Sequence, residues 1–172
     1  REYALAERYY LQAVRSDSAM ARAWLNLGNL YTDGRRFEQA MVAVRRAASL
    51  DTSYALAWNS LGNIYLLRDR PDSARVAYER AIRLDPKFVS AYCNLASVLI
   101  GKGQFGPAEA RLRQALALDA KHVPAYNTLG RLHMARGDFR AAEAAYAKAV
   151  ELQPHDPGLR ENLAAARRRA GS

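Results

Sequence analysis

The chain has only one cysteine and three histidines, and these scarcities close several routes to chemistry. Cys93 has no partner for an internal disulfide, and one residue after Tyr92 it reads as a small neutral filler. His122, His133 and His155 are scattered and imply no metal site. Neither a phosphate-cradling glycine loop, nor His-Glu-x-x-His, nor Gly-x-Ser-x-Gly occurs. No apolar run approaches the roughly 20 residues a helix needs to cross a bilayer, and the first residues do not resemble a signal peptide. No catalytic activity, cofactor, metal or small-molecule substrate is therefore expected, and no integral membrane segment. The compartment stays open between cytoplasm and periplasm.

What the chain does have is a period. Trp24, Trp58, Tyr92 and Tyr126 stand at intervals of 34. From each, the residues three, four and seven further on are Leu27, Gly28 and Tyr31, then Leu61, Gly62 and Tyr65, then Leu95, Ala96 and Leu99, then Leu129, Gly130 and His133. Those offsets mark one face of an α-helix. Glycine or alanine on that face removes bulk where a neighbouring helix must come close, and the aromatic fills the space beside it.

A second helical stripe follows within each period: Phe37, Ala40, Val44, Ala47 and Leu50, then Ala74, Tyr78, Ala81 and Leu84, then Phe105, Ala108, Leu112, Ala115 and Leu118, then Phe139, Ala142, Tyr146, Ala149 and Leu152. Asp33-Gly34, Asp69, Gly103 and Gly137 separate the two stripes, where glycine or aspartate tolerates a left-handed backbone. Leu84-Asp85-Pro86 and Leu152-Gln153-Pro154 end the second helix. Each unit reads helix, turn, helix.

Trp58-x2-Leu61-Gly62-x2-Tyr65, Ala74-x3-Tyr78-x2-Ala81 and Pro86 resemble the tetratricopeptide repeat almost throughout. The resemblance implies an all-α fold, a right-handed α-solenoid of antiparallel helix pairs. It divides the chain into the second helix of a truncated repeat (1–20), full repeats at 21–54, 55–88, 89–122 and 123–156, and a C-terminal capping helix at 157–170, forming one continuous domain. Departures are local: Ala96 for the glycine, His133 for the second aromatic, Thr52 and Ala120 for the terminal proline. Tyr3, Ala6, Tyr10 and Ala13 match a second helix whose partner is missing. The chain thus reads as a piece of a longer protein, with self-association through that uncovered helix as the alternative.

Arginine supplies 22 of the 26 basic residues behind the net charge of +9. Most of it lies on the second helices and turns, which the resemblance puts on the outer, convex side, with acids such as Glu38, Asp72, Glu79, Glu109 and Glu143 interspersed. Such a surface reads first as a solvated face; nucleic-acid or anionic-surface binding ranks below it. Arginine in place of lysine, with much alanine, suits a high-GC bacterial genome.

In this family the first helices line a concave groove. By offset from each aromatic, its residues are Leu25, Asn59, Cys93 and Asn127 at one; Asn26, Ser60, Asn94 and Thr128 at two; Asn29, Asn63, Ser97 and Arg131 at five; and Thr32, Leu66, Ile100 and Met134 at eight, with Asn162 continuing the series on the capping helix. Asparagine offers two donors and an acceptor, so a row of such amides can hold an extended peptide by its backbone. The row resembles the asparagine ladder of some tetratricopeptide domains, interrupted here by Ser60 and Thr128. Equally, these amides can solvate a face or bond to the neighbouring helix. Leu56, Leu66, Leu67, Ile100 and Met134 add apolar patches for a partner's side chains. A chaperone-tail carboxylate clamp is disfavoured, because Leu25 and Leu56 stand where its lysines are expected.

The expected function is a non-catalytic protein-interaction scaffold that takes a peptide segment or partner helix in this groove. A substrate-recruiting arm of a larger enzyme or assembly machine, and an oligomerising module, are the alternatives.

Overall fold

The six prolines fall where a helix can tolerate them. Pro71 and Pro157 open helices, Pro124 and Pro107 lie within a first turn, and Pro86 and Pro154 sit between helices. A missing N–H does no harm at these places. The computed structural model describes residues 2–171, which form α1 (Glu2–Ser16), α2 (Ala21–Asp33), α3 (Phe37–Leu50), α4 (Ala55–Leu67), α5 (Pro71–Leu84), α6 (Val89–Gly101), α7 (Phe105–Leu118), α8 (Val123–Arg136), α9 (Phe139–Leu152) and α10 (Pro157–Ala170). No strand occurs among the described residues. None of these helices is long and apolar enough to cross a membrane.

Two compact units result, residues 1–88 and 89–172. In the first, α2 packs on α3 and α4 on α5, while α1 lies against α2. In the second, α6 packs on α7, α8 on α9, and α10 on α9. First helices of successive repeats also touch within a unit, α2 with α4 and α6 with α8.

The turn inside each pair differs from the expectation at one place. The left-handed residues are Arg35 (φ 56°), Asp69 (54°), Gly103 (70°) and Gly137 (83°), spaced by 34, whereas Gly34 has φ −77°. Arginine, not the glycine before it, takes the strained position. The reason is hydrogen bonding: the next residue's N–H reaches a carbonyl five residues back, Arg36 to Tyr31 at 2.8 Å, and Arg70 to Tyr65, Gln104 to Leu99 and Asp138 to His133 at 2.9 Å. Register with the other turns selects residue 35.

The loops between pairs explain why Thr52 and Ala120 can stand where proline is usual. Asp51, Asp85 and Asp119 follow the last leucine of α3, α5 and α7, and each Oδ1 accepts an N–H two residues on at 2.9 Å, from Ser53, Lys87 and Lys121. This aspartate turn stops the helix without proline. Two of the recurring aromatics are tied to the loops between pairs: Trp24 Nε1 donates to Ser18 O at 3.0 Å and Tyr126 Oη to Ala120 O at 3.1 Å.

Close approach within the pairs rests on the small residue four after the aromatic. A Cβ on Gly62 would lie 2.7 Å from Tyr78 Cδ1, and one on Gly130 2.5 Å from Tyr146 Cε1. A Cβ on Gly28 would collide with the Val44 side chain. Around these contacts the first unit buries Leu27, Val44, Leu61 and Ile64, and the second buries Ala142, Tyr146, Leu163 and Ala166.

Candidate functional site

Helix geometry sorts the expected groove residues by offset. At offset one, Leu25, Asn59 and Cys93 are buried, Asn59 being only 7% exposed, and Asn127 is half-buried. Asn162 Nδ2 donates to Asn127 Oδ1 at 3.0 Å, so in the second unit these two amides tie α10 to α8. At offset two, Asn26 and Asn94 are half-buried and Ser60 and Thr128 buried. Offset five is the open row: Asn29, Asn63 and Arg131 are exposed and Ser97 half-buried. At offset eight Leu66 is exposed, Ile100 and Met134 are half-buried, and Met134 packs against the core around Tyr146.

The hydroxyls of the row are occupied by their own helices. Thr32 Oγ1 donates to Gly28 O at 2.9 Å, Ser97 Oγ to Cys93 O at 3.1 Å and Thr128 Oγ1 to Pro124 O at 2.8 Å. Among the residues at offset five, Asn29, Asn63 and Arg131 are the exposed ones. In the first unit Asn26, Asn29, Asn63 and Leu66 share the touching pair α2 and α4. In the second, Asn94 and Ile100 on α6 lie beside Asn127, Arg131 and Met134 on α8, with Asn162 on α10.

One polar contact to this row was not singled out by offset. Tyr78, wholly buried on α5, donates its hydroxyl to Asn63 Oδ1 at 2.7 Å. Its signal in the sequence is the recurrence of tyrosine at 78 and 146, each opposite a glycine.

Arginine on the second helices and turns is largely engaged within the chain. Arg36 pairs with Glu7 at 2.8 Å, Arg68 with Glu38 at 2.9 Å, Arg136 with Glu109 and Asp138 at 3.0 Å each, and Arg167 with Glu143 at 2.9 Å. Arg80 and Arg36 also stack over Trp58 and Tyr31, 4.0 and 4.2 Å from the ring centres. The hydrogen bond from Arg36 holds the Glu7 carboxyl below its ordinary range. Pairs this exposed contribute little stability, but they reduce the positive charge offered outward.

Cys93, the single cysteine, is not prepared as a nucleophile. Burial pushes the Cys93 thiol up to about 12, where it stays protonated at neutral pH. Among the described residues no three His, Cys, Asp or Glu side chains are placed to hold a metal.

Known proteins agree with this architecture. No curated protein sequence matches the chain. Among solved structures, PilW, described as a widely conserved type IV pilus biogenesis factor, aligns at 26% identity and TM-score 0.85 over 98% of this chain and 80% of its own. The first TPR of Spaghetti (RPAP3), bound to the HSP90 peptide SRMEEVD, aligns at 25% identity and TM-score 0.65 over 71% and 97%. TTC0263, a thermophilic TPR protein of Thermus thermophilus, shares the fold at 23% identity and TM-score 0.84 over 95% and 90%. The fold is an all-α helical-repeat solenoid. With its 34-residue aromatic interval, its glycine-gated helix pairs and a match over residues 1–169 to the model of the cilia and flagella-associated protein 70 C-terminal domain, the chain belongs to the tetratricopeptide-repeat family.

Proposed function

We propose that the chain is a non-catalytic protein-interaction scaffold, and that it holds a peptide segment or partner helix against the amide-bearing faces of its first helices. The observation that carries this reading is the open row at offset five, Asn29 and Asn63 in the first unit and Arg131 in the second, beside the half-buried Asn26 and Asn94. Uncharged amides spaced along a helix face suit main-chain hydrogen bonds better than catalysis. A solved relative at 25% identity is bound to a peptide, which supports the same use.

Replacing Asn26, Asn29, Asn63 and Asn94 together by alanine tests it. Partners captured by the native protein are expected to be lost, while circular dichroism and the melting temperature stay the same. Equal capture by the variant would sink the reading.

Self-association through α1 is a second reading, favoured by one observation. Ala40, Val44 and Ala47 of α3 are wholly buried, but the corresponding Ala6, Tyr10 and Ala13 of α1 are half-buried, and Tyr3 and Tyr9 are 62% and 58% exposed. Light scattering of the native chain and of a Tyr3→Lys/Tyr9→Lys variant decides it. A concentration-dependent dimer that these changes dissolve is the expected result; a monomer at all concentrations excludes it.

A further inference from the structure

The first unit builds one groove twice and fills it once. Where α3 and α5 flank α4, two arginines of the chain itself lie over the aromatics of α4. Arg80 stacks on Trp58, 4.0 Å from the ring centre, and Arg45 Nη2 donates to the Tyr65 hydroxyl at 3.1 Å. One repeat earlier, where α1 and α3 flank α2, the residues 34 positions back are Leu11 for Arg45 and Arg46 for Arg80. Leucine has neither the reach nor the charge of arginine, and Arg46 is exposed and stacks on no ring among the described residues. A cavity of about 340 Å³ remains there, with Leu11, Trp24, Leu27, Tyr31 and Val42 among its walls. That volume is within the range of small-ligand pockets. Leu27 and Tyr31 are buried while Val42 is 68% exposed, so the floor is part of the core and the rim meets solvent.

The filled groove shows what chemistry suits the empty one. Trp24 Nε1 is committed to Ser18 O at 3.0 Å, so the indole offers a ligand its face, and Arg36 already covers Tyr31 at 4.2 Å. An arginine side chain lays its methylene stem on apolar walls and its planar cation on an aromatic face. Two polar side chains complete the match. Glu38 Oε1 accepts Arg68 at 2.9 Å, but the side chain is 78% exposed and Oε2 has no partner among the described residues. Gln39 adds an exposed carboxamide oxygen. On α2 the helical period sets Trp24, Leu27 and Tyr31 on the side opposite Asn26 and Asn29, so the cavity and the amide row occupy different faces.

We propose that this cavity is a second binding site, which takes an arginine side chain of a partner protein: the guanidinium over Trp24 and paired with Glu38, the stem along Leu11 and Val42. The occupant supplies what Arg45 and Arg80 supply one repeat further on. A different protein suits the site better than a second copy, because two chains of net charge +9 repel each other. The site is independent of the offset-five row.

Acetylated and amidated alanine-glycine peptides, identical except for a central arginine, citrulline or leucine, serve as probes. The indole N–H signals of the two tryptophans are followed by NMR as each is added. The arginine probe is expected to shift the Trp24 signal with a Kd on the order of a millimolar and to leave Trp58, already covered by Arg80, in place. Citrulline, which keeps the shape without the charge, and leucine should each bind at least about fivefold more weakly. Nonspecific attraction cannot give that order, since a chain of this charge repels cations. Leu11→Arg should occupy the cavity as Arg45 does its own groove and abolish the shift, with circular dichroism unchanged. Glu38→Gln should weaken the arginine probe about threefold and spare the leucine probe. Its side chain is exposed, so this variant decides the matter even if Leu11→Arg disturbs α1. Citrulline or leucine binding as well as arginine would make the cavity a plain apolar pocket and overturn the proposal. So would an arginine probe that moves neither tryptophan signal, or both alike. A Trp24 signal that moves with protein concentration alone, and is stilled by Leu11→Arg, would give the cavity to a second copy and overturn its assignment to a partner.

Discussion

The two units build the same turn from different residues. In residues 1–88 the left-handed position is held by Arg35 and Asp69, and in residues 89–172 by Gly103 and Gly137. A side chain in that conformation costs about 1–2 kcal/mol, which glycine avoids. Yet all four turns make the same backward hydrogen bond, from 2.8 to 2.9 Å. The turn is therefore imposed by the helices that it joins. Glycine relieves the strain where it is present but does not create the geometry.

A second contrast concerns the space between paired helices. The first unit divides it between Gly62 and the ring of Tyr78, with Gly28 against Val44. The first repeat of the second unit has Ala96 and Leu112 at the corresponding positions, both wholly buried. Relative to Gly62 and Tyr78, the methyl group gained at Ala96 is matched by a smaller side chain at Leu112, whereas Gly28 stands against the still smaller Val44.

These contrasts can be broken by exchanging residues between units. The largest effect is expected from Gly62→Ala, whose Cβ must displace the Tyr78 ring and should cost about 2–3 kcal/mol in urea unfolding. Adding Tyr78→Leu recreates the Ala96 and Leu112 combination and should restore most of that loss. A double variant no more stable than Gly62→Ala would show that the two units do not share one packing rule.

Next in size, taken per pH unit, is a difference at offset one, where the second unit has Cys93 against Leu25 and Asn59 in the first. The folded protein holds the thiol protonated up to about pH 12, whereas an ordinary thiol loses its proton near 9.0. The stability tied to that proton is complete below pH 9 and falls as pH rises toward 12, by at most about 1.4 kcal/mol per unit. Cys93→Ala should remove this part of the alkaline slope. What remains belongs to phenols such as Tyr78, which burial also raises. An unchanged slope would mean that the thiol is not buried as described.

The smallest effect tests the turn. Arg35→Gly should stabilise the protein by about 0.5–1 kcal/mol and Gly137→Ala should destabilise it by a similar amount, both read from chemical denaturation. If Arg35→Gly is destabilising, the arginine side chain contributes more than its backbone strain costs.

The periodic features were legible because they are local. An aromatic every 34 residues and two apolar stripes per period define helix pairs without any knowledge of what surrounds them. The turn was misplaced by one residue because Gly34 has the local preference while Arg35 has the register. The amides were legible as a set but not by exposure. Offset alone separates Asn63 from the apolar stripe, but not an exposed amide from one that meets a neighbouring helix, as Asn127 meets Asn162. Tyr78 was assigned to the core stripe, and its hydroxyl's reach to Asn63 depends on the gap above Gly62.

The sequence by itself determined the helix pairs, their period, the placement of prolines and aspartates that stop each helix, and the residue types available on the first-helix faces. Each follows from bonds and packing within a few turns of chain. Tertiary structure decided which amides stay exposed, which residue bears a left-handed backbone and where a buried hydroxyl emerges. Those outcomes depend on distances between helices, and a distance set by two surfaces pressed together is written in neither surface alone.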